Sequence, residues 1–385
     1  MRTTLMSRTF GIFLSLLLLC SCATTPEPSA IIPASELPAD VTINKDAGRG
    51  NKLIVTLRLE SGEELPFFVD TGAGGTVFDA SLEPGLGKPL GTWTVQRWGV
   101  KEKKSVYATP KLYLGSTLLT TGSRVLAFDF SGMSFHTGKP IMGVLGMDVL
   151  EHYCIQLDFS AGKLRFLDDE HADKKDWGRA FPIVALNSND ARPSIGENLF
   201  GAQGPHSLID SGYDTDGWLM PRFYQQWTNQ AARPVKGKAR SPNGMFGGES
   251  YPQISMRVEN VESDGIGLPF LARHLVTLDF PKHTMYLKRT SIGPLPDGGV
   301  AAVLNFLKGL KEKGQLPGWS TDEHGAPRVT MDSASNSGTV DILKNGDSSI
   351  YHYQVTRVSE AAPWKLRRSW RTDQNDHTIE EYSVP

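Results

Sequence analysis

The sequence contains the run Leu65-Pro66-Phe67-Phe68-Val69-Asp70-Thr71-Gly72-Ala73, and a second version of it follows as His206-Ser207-Leu208-Ile209-Asp210-Ser211-Gly212-Tyr213. Each apolar run predicts a buried strand that delivers an aspartate into a tight turn, where glycine permits a sharp change of direction. One Asp-Thr/Ser-Gly triplet arises by chance in roughly one chain in five of this length. Two triplets with the same apolar lead-in indicate a duplicated unit.

The segments downstream of the two turns also match. Gly143–Leu150 follows the first turn and Gly265–Leu271 follows the second, and both are apolar and contain glycine. Leu150 precedes Asp158 by 8 residues, and Leu271 precedes Asp279 by the same 8. We therefore interpret the region as an internal repeat.

These paired motifs resemble the retropepsin-like and pepsin-like aspartic peptidases, with both halves fused in one chain. The resemblance covers residues 48–290. It implies a mainly β fold with two pseudo-symmetric lobes and a catalytic dyad of Asp70 and Asp210, one from each lobe. By the same resemblance, the turns that support the dyad are formed by Thr71, Gly72, Ser211 and Gly212.

The resemblance also places a flap over the active site. A hairpin with a charged tip is predicted between Gly91 and Gly115, with Trp98 and Tyr107 as candidate substrate contacts or, alternatively, as core residues. In the second half, the glycine-rich stretch from Ser241 to Tyr251 occupies the corresponding place in the sequence. Tyr213 stands where the first half has the small Ala73, so the second copy departs from the first.

Composition and pattern divide the rest of the chain. We expect a lipoprotein signal peptide at 1–22, a flexible tether at 23–47, lobes at 48–170 and 178–290, and a small domain at 298–385. The small domain has a helical apolar spacing from Val300 to Leu310. Five strand-like runs follow, and this order predicts an α+β domain that is faintly similar to cystatin-like or NTF2-like folds.

The N-terminal segment predicts export. Arg2 and Arg8 precede an apolar run from Phe10 to Leu19, which is short for a membrane span and typical of a secretory signal. Leu19-Cys20-Ser21-Cys22 resembles the lipobox of bacterial lipoproteins, with Cys22 as the lipidated residue; a plain signal peptide with incidental cysteines is the alternative. Lipidation at Cys22 implies a membrane-anchored protein of the cell envelope, on the periplasmic side or the cell surface.

The composition and motifs of the sequence argue against several classes of binding and catalysis. The net charge of -2 over 385 residues gives no indication of nucleic-acid binding. If Cys20 is removed and Cys22 modified, Cys154 alone remains and no intrachain disulfide is expected. The sequence has neither a His-Glu-x-x-His nor a Gly-x-Ser-x-Gly pattern, so zinc and serine chemistry are not predicted. The expected mechanism needs no metal and no cofactor.

The function expected from the resemblance is an aspartic endopeptidase acting on a peptide or protein substrate. Two adjacent carboxyls share one proton, one activates a water molecule, and the other protonates the peptide carbonyl. Ala73 lacks the hydroxyl that lowers the aspartate pKa in many such sites, so activity from mildly acidic towards neutral pH is expected.

Three alternatives stay open from the sequence. The chain is a monomeric enzyme, or it is an inactive peptidase-fold lipoprotein that binds a peptide or an envelope partner. The halves pair within one chain, as a monomer requires, or across a dimer. The C-terminal domain recognises a partner or blocks the cleft, or it does neither.

Overall fold

Strands dominate the chain, which confirms the predicted mainly β fold. The computed structural model describes residues 32–97, 100–131, 140–187, 190–197, 199, 206–228, 238–258, 263–316, 327–331, 336–343, 349–359, 362–373 and 375–384. Within these ranges the strands form a 12-stranded, a 9-stranded and a 5-stranded sheet. No helix in these ranges combines the length and the apolar character that crossing a membrane requires.

The elements of the first half are short and strand-rich. They are β1 (Val41–Thr42), β2 (Ile54–Leu59), β3 (Glu64–Val69), β4 (Val77–Asp79), β5 (Gly91–Arg97), β6 (Val100–Ala108), β7 (Leu112–Leu114), β8 (Thr117–Leu118), β9 (Arg124–Phe128), β10 (Gly143–Leu145), β11 (Cys154–Asp158) and β12 (Lys163–Leu167), with helix α1 (Met147–Leu150) and 3-10 turns at Ala34–Glu36 and Ala80–Gly85.

The 9-stranded sheet carries Asp70 to its position. Its order is β5-β6-β9-β4-β10-β3-β2-β7-β8. In β2, Val55 and Leu57 are buried and Thr56 between them is exposed, as the alternation predicts. The next strand, β3, ends in the buried run Phe67, Phe68 and Val69. Asp70 directly follows Val69, so this buried strand determines the position of Asp70.

The second half has a similar set of elements. They are β13 (Arg179–Asn187), β14 (Asp190–Ile195), β15 (Ser207–Asp210), β16 (Gly217–Leu219), β17 (Lys238–Phe246), β18 (Glu249–Val258), β19 (Asp264–Gly267), β20 (His274–Asp279) and β21 (Thr284–Arg289), with helices α2 (Pro221–Thr228) and α3 (Leu268–Leu271) and a 3-10 turn at Lys174–Asp176 before them.

The two halves use the same strand pairings around their aspartates. In the first half β3 pairs parallel with β10, β10 antiparallel with β4, and β4 parallel with β9. In the second half β15 pairs parallel with β19, β19 antiparallel with β16, and β16 parallel with β18. The apolar-glycine segments that repeat in the sequence are therefore the strands that lie beside each aspartate-bearing strand.

A continuous sheet joins the halves. Strands β11 and β20 follow the matched helices α1 and α3, and they pair antiparallel with each other. At the centre of this pairing Gln156 lies opposite Thr277, and its Nε2 donates to Thr277 Oγ1 at 2.9 Å. The 12-stranded sheet therefore runs from β1 in the first half to β17 in the second.

The hairpin from Ser241 to Tyr251 does not occupy the place expected of a second flap. By their pairings, β17 corresponds to β6 and β18 to β9. The β17–β18 turn therefore corresponds to the connection between β6 and β9, whereas the predicted flap tip lies between β5 and β6. Gly247 and Gly248 have φ values of 57° and 78°, and Phe246 beside them is buried against Phe181. The glycines in the sequence indicate a hairpin turn, but they do not indicate which two strands the turn connects.

Ordered structure begins earlier than the predicted tether allows. Strand β1 pairs with β12 through Val41 and Thr42, and Ile43 and Ala47 are buried. Asp46, 4% exposed, accepts hydrogen bonds from Asn44, Asn51 and the N–H of Ala301. The tether predicted to end at residue 47 therefore ends before Val41. The polar residues of this segment form a hydrogen-bond network. Composition alone does not distinguish such an ordered polar segment from a flexible linker.

The C-terminal region matches its prediction closely. Helix α4 (Gly299–Glu312) packs against a sheet whose strands follow in chain order, and Val303, Leu307, Val340 and Tyr353 are in their common core. The strands are β22 (Arg328–Met331), β23 (Ser337–Leu343), β24 (Ile350–Thr356), β25 (Lys365–Thr372) and β26 (Thr378–Tyr382). All neighbouring pairs are antiparallel.

The second half contains a buried ion pair. Arg273 Nη2 donates to Asp216 Oδ1 at 2.6 Å, and the two side chains are 0% and 2% exposed. Arg273 Nη1 also donates to the Pro252 carbonyl, and Asp216 Oδ2 accepts from the Ser255 N–H. Because both charges are out of water, each depends on the other for compensation.

We predict that Arg273→Met destabilises the protein by about 3–5 kcal/mol, because it leaves the buried carboxylate of Asp216 without its cation. The measurement is the free energy of unfolding in urea. Arg368→Met is the matched control, since the Arg368–Glu381 pair is exposed and such pairs contribute about 1 kcal/mol or less. Equal effects of the two substitutions would show that the buried pair has no special role.

Candidate active site

Asp70 and Asp210 meet at two facing turns. Each carboxylate accepts a hydrogen bond at 2.8 Å from the N–H two residues ahead, Gly72 for Asp70 and Gly212 for Asp210. A Cβ built on Gly72 would overlap the carboxyl of Asp210, and one on Gly212 would overlap that of Asp70. Neither glycine has a positive φ. Glycine is therefore needed here for space between the halves, not for an unusual backbone conformation.

The residues between aspartate and glycine interlock the two turns. The Thr71 N–H donates to Ser211 Oγ at 3.0 Å, and the Ser211 N–H donates to Thr71 Oγ1 at 3.0 Å. Each hydroxyl then donates onward: Thr71 to the Ile209 carbonyl at 2.7 Å, and Ser211 to the Val69 carbonyl at 2.9 Å. Both side chains are buried. The small hydroxyl residues predicted at these positions are thus brought together across the two halves.

Both carboxyls have raised pKa values. Burial raises the pKa of Asp70, while the positive charge of Lys52 and the hydrogen bond shared with Asp210 oppose that increase. Burial raises the pKa of Asp210 well above the ordinary value of 3.8, and the negative charge of Asp70 raises it further. Because each carboxyl when ionised makes the other harder to ionise, the pair favours a state in which it holds one proton. Both aspartates are half-buried as whole residues.

Tyr213 leaves the second turn unchanged. Its N–H donates to the Asp210 carbonyl at 3.2 Å, as the N–H of Ala73 donates to the Asp70 carbonyl at 3.2 Å. The ring of Tyr213 lies against Trp218, with centroids 4.4 Å apart. The larger residue is therefore accommodated beside the turn, and the backbone of the two turns follows the same pattern.

Each turn is anchored again six residues after its aspartate. In the first half the N–H and hydroxyl of Thr76 both donate to Asp148 Oδ1 at 2.7 Å. In the second half the equivalent residue is Asp216, which forms the buried pair with Arg273. The sequence did not single out either contact, because the partners lie on distant elements and differ in chemistry between the halves.

Two cations near the dyad were also missed. Lys52 Nζ donates to the carbonyl of Gly212, and Arg192 Nη1 donates to the carbonyl of Gly72 at 3.4 Å. Each cation lies 18 residues before the aspartate of its own half. That spacing is visible in the sequence and extends the repeat upstream of the apolar runs.

The remaining predicted site residues have mixed outcomes. Tyr107 is 6% exposed, lies opposite Val125 and belongs to the main hydrophobic core, which favours the core role over a substrate contact. Trp98 and Cys22 lie outside the described residues. Cys154 is buried, and burial raises the pKa of its thiol, as expected of a core cysteine without nucleophilic character.

Comparisons with known proteins do not identify the chain: no known family model matches the sequence, and no curated protein matches it. Among the described residues, no group of three or more His, Cys, Asp or Glu side chains is arranged to hold a metal ion. The functional evidence therefore lies in the carboxyl pair and its surroundings.

We predict that Thr71→Val lowers the free energy of unfolding by about 1–3 kcal/mol for each buried group left unsatisfied. Valine preserves the shape but removes the acceptor of the Ser211 N–H and the donor to the Ile209 carbonyl. Urea unfolding measures the loss. Thr71→Ser keeps the hydroxyl and is the control; the interlock would be energetically unimportant if Val and Ser at this position were equally stable.

Proposed function

We propose that this protein is an aspartic endopeptidase in which Asp70 and Asp210 form the catalytic dyad. One observation supports this above all others: the carboxyls of two half-buried aspartates, one from each half of an internal repeat, meet on interlocked turns and have raised pKa values. We assign one proton to the pair and place it on Asp210. Groups whose environments drive their proton affinities apart are the arrangement that general acid–base chemistry requires.

The mechanism follows from this charge state. Ionised Asp70 takes a proton from a water molecule held between the carboxyls, and the water oxygen attacks the peptide carbonyl carbon. Protonated Asp210 donates its proton to the carbonyl oxygen, giving a neutral tetrahedral intermediate. Asp70 then protonates the leaving nitrogen while Asp210 recovers a proton from a hydroxyl of the intermediate. The bond breaks and the dyad returns to its starting state without a covalent intermediate.

The proton affinities also support the proposed pH range. The mechanism operates between the two proton-binding steps of the dyad, because it needs one carboxyl ionised and one protonated. The pKa of Asp210 is raised well above 3.8, and the hydroxyls of Thr71 and Ser211 are used in the interlock. Activity that extends from mildly acidic towards neutral pH is consistent with both observations.

The rival proposal is a non-enzymatic peptide binder with the same fold. Tyr213 and the shorter glycine-rich stretch of the second half are the sequence features that favour it. The backbone hydrogen bond of Tyr213, however, matches that of Ala73, and its ring packs on Trp218. Retention of both aspartates with raised pKa values favours the enzyme. We further propose that the enzyme is held at the cell envelope through Cys22, a part of the proposal that depends on the sequence pattern alone.

We predict that Asp70→Asn and Asp210→Asn each reduce cleavage of a mixed peptide library by about 100-fold or more, since each removes one partner of the acid–base pair. The assay covers about pH 3 to 8, which brackets the ordinary carboxyl and histidine pKa values. Soluble protein beginning at Asp40 is used.

Asp376→Asn is the matched control. Asp376 is exposed and has a φ of 65°, a conformation that asparagine tolerates well, so full activity is expected. A folded wild type that cleaves nothing over the whole range, or an Asp210→Asn variant as active as the control, would refute the proposed mechanism. An activity maximum below about pH 3 would contradict the proposed pH range alone.

A further inference from the structure

A cation occupies the same position in both halves, directly across the sheet from the aspartate. The pairing of Ile54 with Phe68 and the bond from the Val69 N–H to the Leu53 carbonyl place Lys52 opposite Asp70. In the second half the pairing of Ser194 with Leu208 places Arg192 opposite Asp210 by the same count. Residues directly opposite in an antiparallel pair project to the same face of the sheet. Each cation is therefore on the carboxyl side.

Both cations reach across to the other half. Lys52, opposite Asp70, donates to the carbonyl of Gly212, and Arg192, opposite Asp210, donates to the carbonyl of Gly72. These glycines are the residues that leave room for the carboxyls. Each cation therefore lies beside the aspartate of its own half and contacts the turn of the other half. The two carboxyls meet at this place.

The backbone of Lys52 is fixed on both sides. Its N–H donates to Asn51 Oδ1 at 2.8 Å, and its carbonyl accepts from Asn44 Nδ2 at 2.9 Å. Its ammonium group also lies 5.9 Å from the centre of the Phe68 ring. A lysine held in this way is a fixed positive charge beside the dyad rather than a mobile surface group.

Other charged groups near the two turns are already paired. They are Asp148 with the N–H and hydroxyl of Thr76, Asp214 with Arg257 at 2.6 Å, and Asp216 with Arg273 at 2.6 Å. Lys52 and Arg192 instead donate to backbone carbonyls of the two turns.

We propose that Lys52 is a positioning residue of the dyad: its ammonium group ties the second turn to the first half and keeps one of the two carboxyls ionised. The role in catalysis rests on the proposed function, whereas the effect on the carboxyls does not. The positive charge of Lys52 is the strongest influence that opposes the rise in the pKa of Asp70, and it also opposes the rise in the pKa of Asp210. A lysine at this position therefore extends the pH range of the proposed activity to lower pH.

The test is a titration of the full folded chain with its aspartates labelled at the carboxyl carbon with 13C, followed by NMR. Lys52→Met removes the charge but keeps the apolar stem, and Lys52→Arg keeps the charge. We expect Lys52→Met to raise both proton-binding steps of the dyad by about one pH unit, and Lys52→Arg to leave them near the wild type. Lys111→Met, which removes an exposed cation paired with Glu60, is expected to leave them unchanged.

The pH–rate profile of peptide cleavage is recorded on the same variants, and its acid limb is expected to move to higher pH in Lys52→Met only. Dyad steps that stay in place in Lys52→Met overturn the proposal, whatever the activity. Steps that move in a protein that cleaves no peptide support the role of Lys52 and refute the proposed function instead. Lys52→Gln provides the same comparison if the Met variant does not fold.

Discussion

The exchange of hydrogen bonds between Thr71 and Ser211 is the constraint on which the rest of the site depends. Each residue donates its N–H to the hydroxyl of the other, and each hydroxyl donates to a carbonyl one residue before the opposite aspartate. Four bonds between buried groups leave little freedom in how the turns face each other. With the turns fixed, only glycine fits at positions 72 and 212, because the opposite carboxyl occupies the space of a side chain.

Close approach then determines the electrostatics. Two carboxyls held together in partly desolvated surroundings cannot both ionise at moderate cost, so one proton is shared. The surroundings of the two are not equivalent: the negative charge of Asp70 adds to the effect of burial in raising the pKa of Asp210, and Lys52 contacts the Gly212 turn whereas Arg192 contacts the Gly72 turn. Two halves with the same strand pairings thus place their aspartates in surroundings that differ. The proposed division into acid and base uses this difference.

The sequence predicted those features that depend on local pattern or on repetition. Five strands follow helix α4, as the five strand-like runs predicted, because alternating side chains and flanking turns determine such strands locally. The aspartates and their neighbours were predicted because the motif occurs twice. Lys52 and Arg192 were missed because their role depends on strand register, which places residues 18 positions apart side by side. The order at Val41–Ala47 was missed because its polar residues are satisfied by distant partners, including the N–H of Ala301.

The measurement that tests the shared proton most directly is the pH dependence of the unfolding free energy of the wild type and of Asp210→Asn. Because the pKa of Asp210 is raised on folding, the folded state binds more protons than the unfolded state above pH 3.8, and the wild type loses stability as pH rises from there to the folded value. Asparagine does not titrate and is free of this loss. The account predicts that the stability of Asp210→Asn relative to the wild type grows as pH rises above about 4 and is constant below it. A difference that is independent of pH, or that grows in favour of the wild type, would contradict it.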